Sequence, residues 1–513
     1  MPAKAKYTND DQPSWQPPTK LESLSILSKA VLSKFNCLSD PDNGHDTSIT
    51  APLDPVYSYP HKTPSSDFRL PCTSVRSVWV GHASVVTDFP TTDPNRPFRV
   101  AFDPLFEKYC SPVRWPRRRV GVPFSIEDMG RVDAVVISHN HYDHLSKKSI
   151  QAIEKLEGLT KYFVPQGTGK WFTDNVGIPS ERVFELDWKE GVRLGGVDSG
   201  FKNLGRTQPT QTGSYDTLDE KTEVDGKEKD GDAGREDVIQ AILPTLTKDG
   251  QQGAGHLGVE VVDGDDADAI LELSAPQPIE TNDLRTSPRT DPTAFTITCE
   301  QAQHADGRDF LFRDKGHSKC ATWVINQHPV CSTSGELKTE GTNVFFGGDT
   351  GYRSKSDGAV ASFIQDIRDR HGPMNLMFIP PDAGSLSKSW KVPQAINRHM
   401  HATPDDAVDM SNVLSRGLDA DPEDGGAAAA EMRRMGYSDK TVTLFIHHST
   451  FDTKSGAEKT MEDIRSARWY KGRLSNLCEN RGVVVTQPGV WLDMAKLRVA
   501  KGEVLPGARV EEV

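Results

Sequence analysis

Paired cysteines are missing from this chain. The 513 residues hold seven cysteines, Cys37, Cys72, Cys110, Cys299, Cys320, Cys331 and Cys478, and no two form a C-x-x-C pair. An odd, scattered set reads as free thiols in a reducing compartment. Long apolar runs are missing too. None approaches the roughly 20 residues that a membrane helix needs. The first residues, MPAKAKYTNDDQPSW, lack an apolar signal core, and Asp10 and Asp11 suit a mitochondrial transit peptide poorly. The expectation is an intracellular protein that is not secreted, cytoplasmic or peripheral on an organelle membrane, the mitochondrial one included. Positive charge is in deficit: the formal net charge is -13. That argues against general nucleic-acid binding, which needs a surface that neutralises phosphates. Hydrophobic residues make up only 35%, so part of so long a chain is expected to lie outside any packed core.

The polar residues are unevenly spread. Residues 1–70 are rich in Pro, Ser, Thr and Asp and read as an N-terminal tail. Within it, Lys20–Phe35 puts Leu21, Leu24, Val31 and Phe35 at helical spacing. A helix docked on the body is the plainer reading, and a helix lying on a membrane surface is the sharper one. From 196 to 292 the chain turns acidic and Gly-rich, as in DEKTEVDGKEKDGDAGRED. So long a stretch reads as a disordered insert. The flanking segments, 71–195 and 293–505, would be two halves of one domain.

Those halves carry a rhythm of strands. VRSVWVGHASVVTDF, FRVAFDP, RVDAVVISH, KYFVP and RVFELDW precede the insert. AFTITCEQAQH, ATWVIN, TNVFFGGDT, MNLMFIP, TVTLFIHHS and GVVVTQPG follow it. Helices are expected after Ser146, a plausible cap, and near 359–370, 404–414 and 457–477. Strands with helices between them suggest packed sheets covered by helices.

The densest chemistry is SHNHYDHL at 138–145, where His139, His141, Asp143 and His144 fall within six positions. Other strands end on His304, Asp349 and His447. Strand ends on a rigid scaffold can hold a site accurately. Imidazoles suit zinc, iron and similar metals, and a carboxylate can bridge two cations. Paired metals can polarise an oxygen, generate hydroxide near neutral pH and stabilise a leaving oxygen. A turn role for Asp349 is the bland alternative. His448 competes with His447, because alternation along a strand would point only one inward. His82 reads as a structural, hydrogen-bonding histidine, and His317, His328 and His371 as surface or core residues. Cys72, Cys110 and Cys320 read as ordinary buried thiols.

H-x-H-x-D-H after a strand, with distant His, Asp and His at strand ends, resembles the metallo-β-lactamase superfamily. WVGHASV, DPLF, SHNHYDHL, FVP, ELDW, FFGGDTGY and HATPDDAV resemble in particular the zinc-dependent N-acylphosphatidylethanolamine-hydrolysing phospholipases D. The resemblance covers 75–195 and about 293–495 and skips the tail and the insert. It implies an α/β fold, the αββα sandwich of that superfamily. It implies two zinc ions, with iron or manganese as alternatives. His139, His141 and His304 would hold one, Asp143, His144 and His447 the other, and Asp349 would bridge them. A hydroxide between the metals would attack phosphorus, giving a fatty-acyl ethanolamide and phosphatidic acid. Asp143, Asp349 and His401 would be the catalytic side chains. His401, matching a histidine near substrate in the family, would orient the head group or donate a proton. The implied partner is a phospholipid at a membrane surface, with no nucleic acid, and a homodimer is compatible.

Three features depart from the family's wording. PDAGSLSKSWKVPQAINRHM replaces an aromatic- and Arg-containing stretch, HHSTF replaces a Trp-containing one, and the acidic insert has no counterpart. A metal-dependent hydrolase of a soluble ester, lactone or phosphodiester is therefore the alternative, and a non-enzymatic scaffold is a third class. The H-x-K-x-x-x-x-D chemistry of other phospholipases D is disfavoured, since the only H-x-K, His317–Lys319, has Val324 where the Asp belongs. GTGK at 167–170 is not a phosphate loop, because Trp171 follows it. The basic run KYCSPVRWPRRR (108–119) reads as a contact for anionic head groups, or else as a solvated loop.

Overall fold

The computed structural model describes residues 62–111, 116–195, 202–207, 259–260, 270–271, 294–308, 314–331, 337–353, 359–381, 400–416, 427–452, 457, 460–464, 481–495 and 508–509. The tail helix expected at 20–35 and most of the helix expected at 457–477 lie outside them. So does the departing stretch at 382–399.

Eight strands come first: β1 (Arg76–Gly81), β2 (Ser84–Phe89), β3 (Phe98–Phe102), β4 (Ala134–Val136), β5 (Lys161–Pro165), β6 (Val183–Leu186), β7 (Gly191–Gly195) and β8 (Lys202–Thr207). The sequence rhythm stops near 196, yet β8 pairs with β7 beyond that point. Thr210–Glu280 separate as a unit of their own, in which β9 (Val259–Glu260) and β10 (Ile270–Leu271) pair antiparallel. The main unit resumes with β11 (Ala294–Gln301), β12 (Ala321–Gln327), β13 (Val330–Cys331), β14 (Leu337–Thr339), β15 (Thr342–Phe346) and β16 (Leu376–Ile379). It ends with β17 (Thr441–Phe445), β18 (Arg481–Thr486), β19 (Trp491–Asp493) and β20 (Ala508–Arg509).

Two mixed sheets result. The first runs β19-β1-β2-β3-β4-β5-β6, and the second runs β20-β18-β17-β16-β15-β12-β11-β7-β8. Each has an antiparallel part and a parallel part. β3 to β6 pair in parallel in one, and β15 to β18 in the other.

Side-chain alternation explains why the central strands are apolar throughout. Phe102, Val136 and Phe163 of the first sheet face Trp323, Phe346, Phe378 and Leu444 of the second in one core. Phe102 and Phe346 meet across it with ring centres 4.8 Å apart. Each such aromatic contributes roughly 1.5–3 kcal/mol by leaving water. The intervening residues point outward. Ala101, Val135, Tyr162 and Val164 lie under α1 (Lys147–Ile153) and α2 (Gly169–Val176). Phe345, Met377, Ile379 and Phe445 lie under α3 (Phe363–His371) and α4 (Pro404–Leu414). A further helix, α5, spans Ala427–Arg434. The layers are helix, sheet, sheet, helix, as expected for the αββα sandwich.

The helix signals have physical counterparts. Ser146 caps α1 by accepting from the Ser149 N–H, and Thr403 and Asp406 form a capping box on α4. α1 stops at Ile153, and Leu156 beyond its end still packs on the same cluster. No described helix is long and apolar enough to cross a membrane.

Candidate metal centre

The parallel strands deliver the chemistry. Chain leaving β4 carries Ser138 to Leu145, chain leaving β15 carries Asp349, and chain leaving β17 carries His447. The antiparallel β11 leads into His304. Loops beyond the carboxyl ends of such strands are the usual place for a site. The backbone is strained here. His82, Asp103, His447 and Ser449 hold positive φ angles of 54°, 38°, 57° and 61°. Each costs on the order of 1–3 kcal/mol, which the surrounding packing must hold. Gly348 has φ +54°, and a Cβ there would meet the Ser138 Cβ at 2.6 Å. Glycine thus lets the Asp349 turn close onto the histidine loop.

Two groups of ligand atoms converge. His139, His141, His304 and Asp349 form one, and His82, Asp143, His144 and His447 the other, each with its donor atoms within 4.8 Å of one another. In the first, His141 Nδ1 lies 2.9 Å from His139 Nε2 and 3.3 Å from His304 Nε2. Asp349 stands between the groups. Its Oδ2 lies 3.8 Å from the Nε2 atoms of both His139 and His304 and 3.0 Å from that of His144. Its Oδ1 lies 2.7 Å from His447 Nε2. His144 Nε2 and Asp349 Oδ1 are buried, yet neither makes an aligned hydrogen bond. Buried polar atoms of that kind call for an explanation. Lone pairs aimed at a common cation provide one, and the nitrogen and carboxylate donors suit a divalent metal.

Electrostatics point the same way. Burial holds His139 well below its ordinary value, helped by its histidine neighbours, and brings His141 down to about 3. Burial lowers His304 as well. These rings are neutral near pH 7, the state a metal requires. His144 differs. Burial opposes its charge, but Asp349, Asp143 and Asp103 raise it to about 10. Asp349 and Asp143 are held well below the usual carboxylate range. Burial opposes this, and His144 prevails in both, with His447 beside Asp349 and His82 beside Asp143. The surplus of carboxylate charge around one imidazole is what a cation would relieve.

All seven residues singled out from sequence as ligands meet here. His401, also singled out, is buried with its ring centre 5.0 Å from that of His304 and 5.5 Å from that of His447. Asp349, His401 and His447 form a third group of close donor atoms. His447 faces Asp349, while His448 turns to Trp79, with ring centres 4.8 Å apart. His82 hydrogen-bonds Asp143 at 3.0 Å and lies on the His447 ring at 3.9 Å. His328 bonds Thr296 and Tyr437, and His371 bonds Glu300.

Sequence reasoning missed Asp103 and Arg308. Asp103 accepts from His144 Nδ1 at 2.6 Å. It ends an apolar strand, the same signal that singled out Asp349. Arg308 donates to the carbonyls of Asn140, His141 and Leu145, and no local pattern marks it. The basic run at 108–119 is partly spent inside. Arg118 is buried and donates to the carbonyls of Val80, Leu105 and Glu107, whereas Arg117 and Arg119 are exposed. Of the scattered cysteines, Cys72, Cys110, Cys299 and Cys320 are free thiols.

Residues 98–215, which carry the histidine loop, match the family model described as "Beta-lactamase superfamily domain". The match places that segment in the metallo-β-lactamase superfamily, a superfamily of metal-dependent hydrolases. Relatives with a named activity are similar over part of the chain. N-acyl-phosphatidylethanolamine-hydrolyzing phospholipase D 1 of Caenorhabditis elegans is 34% identical over 191 residues, 36% of this chain and 47% of that protein. The mitochondrial N-acyl-phosphatidylethanolamine-hydrolyzing phospholipase D of Saccharomyces cerevisiae is 26% identical over 121 residues, 23% of this chain and 24% of that protein. An uncharacterized protein of Mycobacterium tuberculosis is 33% identical over 118 residues, 23% of this chain and 30% of that protein. The chain thus spans less than half the length of each relative.

Proposed function

We propose that the protein is a two-zinc phosphodiesterase that hydrolyses N-acylphosphatidylethanolamine to N-acylethanolamine and phosphatidic acid. The observation that carries the two-metal part is Asp349, whose carboxylate lies against both histidine groups, 3.8 Å from His139 and His304 of one and 3.0 Å and 2.7 Å from His144 and His447 of the other. The relatives named for this reaction support the substrate. When bound, a pair of zinc ions supplies Lewis acidity and a water-derived nucleophile at neutral pH.

In the proposed reaction the water oxygen bonds to phosphorus. The bond between phosphorus and the N-acylethanolamine oxygen breaks, and the departing oxygen takes up a proton. His139, His141 and His304 on one side, and Asp143, His144 and His447 on the other, would hold the cations, with the Asp349 carboxylate available to both groups. Burial holds His401 well below its ordinary value, so near pH 7 its ring is neutral. Of the two roles expected for it, orienting the head group by hydrogen bonding fits that state better than donating a proton. The site would work at a membrane surface.

Incubation with N-acylphosphatidylethanolamine in mixed micelles, followed by mass spectrometry, tests the assignment. Acylethanolamide should appear, and His139→Ala should abolish it. Turnover of soluble phosphodiesters, esters or lactones without acylethanolamide would overturn the lipid assignment.

A further inference from the structure

The residues of the metal centre are unequally covered. The side chains of His139, His144, His304 and Asp349 are at most 4% exposed, whereas that of Asp143 is 32% exposed. Asn140, His141 and Tyr142 beside it are half-buried. The centre therefore opens on the side of the histidine loop. Two elements flank that side. One is a hairpin with arms at 107–110 and 116–119, in which Tyr109 pairs with Arg117 and the Arg118 N–H donates to the Lys108 carbonyl at 2.7 Å. Its return arm is tied to the site. The Arg119 N–H donates to the Thr450 carbonyl at 2.8 Å, the Thr450 hydroxyl accepts from the His82 N–H at 2.6 Å, and His82 bonds Asp143. The other element is the first turn of α1, which begins at Lys147, soon after His144. The Ser149 hydroxyl joins the two. It donates to the Glu107 carboxylate at 3.1 and 3.2 Å and accepts from the Phe106 N–H at 3.1 Å.

Cations gather on both elements. Lys108, Arg117 and Arg119 of the hairpin and Lys147 and Lys148 of α1 are exposed. None of the five makes an ion pair among the described residues. Lys108 lies over the Tyr109 ring at 5.7 Å, and the hairpin's own acid, Glu107, is turned to Ser149. The chain as a whole has a net charge of -13. A local reversal without counter-charges adds self-repulsion and no packing, so its use lies in a partner. Aromatic side chains stand in the same region. Tyr109, Tyr142 and Trp171 are half-buried, and the last two share the Arg308 guanidinium at 4.0 and 5.4 Å. Tyr and Trp are enriched where proteins meet lipid head groups.

We propose that Lys108, Arg117, Arg119, Lys147 and Lys148 form a docking rim that seats the open side of the metal centre on a bilayer of anionic phospholipids. The inference rests on the lipid-hydrolase reading and names the face that meets the lipid. N-acylation removes the ammonium charge of phosphatidylethanolamine, so the proposed substrate is anionic, and so is phosphatidic acid. Each basic side chain near such a surface strengthens binding by roughly fivefold, an attraction that fades within a Debye length of about 8–10 Å. The rim thus favours the orientation that turns Asp143 towards the lipid.

The test sediments full-length protein with vesicles of phosphatidylcholine, or of phosphatidylcholine and phosphatidylserine in equal parts, at rising salt. One rim variant combines Lys108→Gln, Arg117→Gln and Arg119→Gln. A second, which leaves the hairpin untouched, combines Lys147→Gln and Lys148→Gln. A control combines Arg69→Gln, Lys155→Gln and Lys338→Gln and changes net charge as much as the first. These three residues are exposed too, but Lys155 lies past the far end of α1, and Arg69 and Lys338 precede β1 and β15.

Wild-type protein should prefer the phosphatidylserine vesicles and leave them as salt rises. The hairpin variant should bind them about 30-fold more weakly, the α1 variant about 10-fold, and the control within about threefold of wild type. Rim variants that bind like wild type would overturn the inference. Equal losses in the hairpin variant and the control would do so too, since the attraction would then be one of net charge. So would wild-type protein without a preference for phosphatidylserine, or with a preference for duplex DNA over either vesicle. Acylethanolamide formed in micelles without any vesicle binding would overturn the rim alone. Rim-dependent vesicle binding without acylethanolamide would uphold the rim and overturn the proposed reaction.

Discussion

The guanidinium of Arg308 lies 4.0 Å from the centre of the Tyr142 ring. From there it donates to the carbonyls of Asn140, His141 and Leu145, while the neighbouring Gly307 N–H bonds the Asn140 side chain. The residues between the ligands are therefore anchored from outside the motif. Arg308→Ala should leave three carbonyls without that donor and lose the cation–π contact. A destabilisation of about 2–4 kcal/mol is expected by urea denaturation. Zinc affinity should fall too. Lysine should rescue poorly, since it cannot span three carbonyls with a planar fork. An Arg308→Ala protein with unchanged stability and zinc affinity would refute the anchoring role.

Asp349→Asn tests the shared carboxylate. The amide keeps the shape but loses the charge that faces both histidine groups. Metal analysis should show both sites weakened, and turnover should fall by at least about a hundredfold. His144 should lose part of the charge stabilisation that raises it to about 10. Loss of a single site, with the other intact, would mean that Asp349 serves one metal only.

How far the sequence could be read depended on the range of each signal. His139, His141, Asp143 and His144 are legible because they are neighbours, and Asp349 because it follows an apolar strand and two glycines. The strands were legible because those buried on both faces are runs of apolar residues, as in LMFI of β16. Asp103 and Arg308 were not, because their roles come from long-range contacts. Asp103 reaches His144 41 residues away, and Arg308 reaches Asn140 168 residues away. In sequence Asp103 ends an apolar strand as Asp349 does, but nothing local links it to the histidine loop, and Arg308 resembles an ordinary surface residue. β8 was hidden for a different reason: KNLGRT lacks apolar alternation and is a strand through its pairing with β7. The choice between His447 and His448 needed the backbone itself, since the positive φ of His447 breaks the alternation that would have decided it.

Glu300 offers a contrast away from the metal centre. It is fully buried and takes two 2.6 Å bonds from Arg370 and a third, also 2.6 Å, from His371 Nε2. Burial opposes its charge, but His371 and Arg370 hold its carboxyl below the ordinary value. Glu300→Gln should leave the partly buried Arg370 without its counter-charge and destabilise the fold by roughly 1.5–3 kcal/mol. Zinc content should be unchanged in the fraction that folds. A loss of zinc in folded Glu300→Gln protein would show that this network supports the metal centre after all.

The buried histidines also fix how stability depends on pH in the metal-free protein. His82 and His141 fall from an ordinary value of 6.5 to about 3, and burial is the leading cause in both. Below pH 6.5 the unfolded chain therefore binds protons that the folded chain refuses. Stability should fall as pH drops from 6.5 toward 3, at about 1.4 kcal/mol per pH unit for each such ring. His144 works with the opposite sign. Its folded value is raised to about 10, so its contribution is complete below 6.5 and is lost as pH rises toward 10. The depressed Glu300 adds a further loss at more acidic pH. Urea denaturation in excess chelator across pH 4 to 10 should therefore show a maximum near neutrality. The acid limb should be steeper than one proton, and His82→Gln should make it shallower by one. A flat profile between pH 6.5 and 4.5 would mean that these rings are not held neutral in the folded protein.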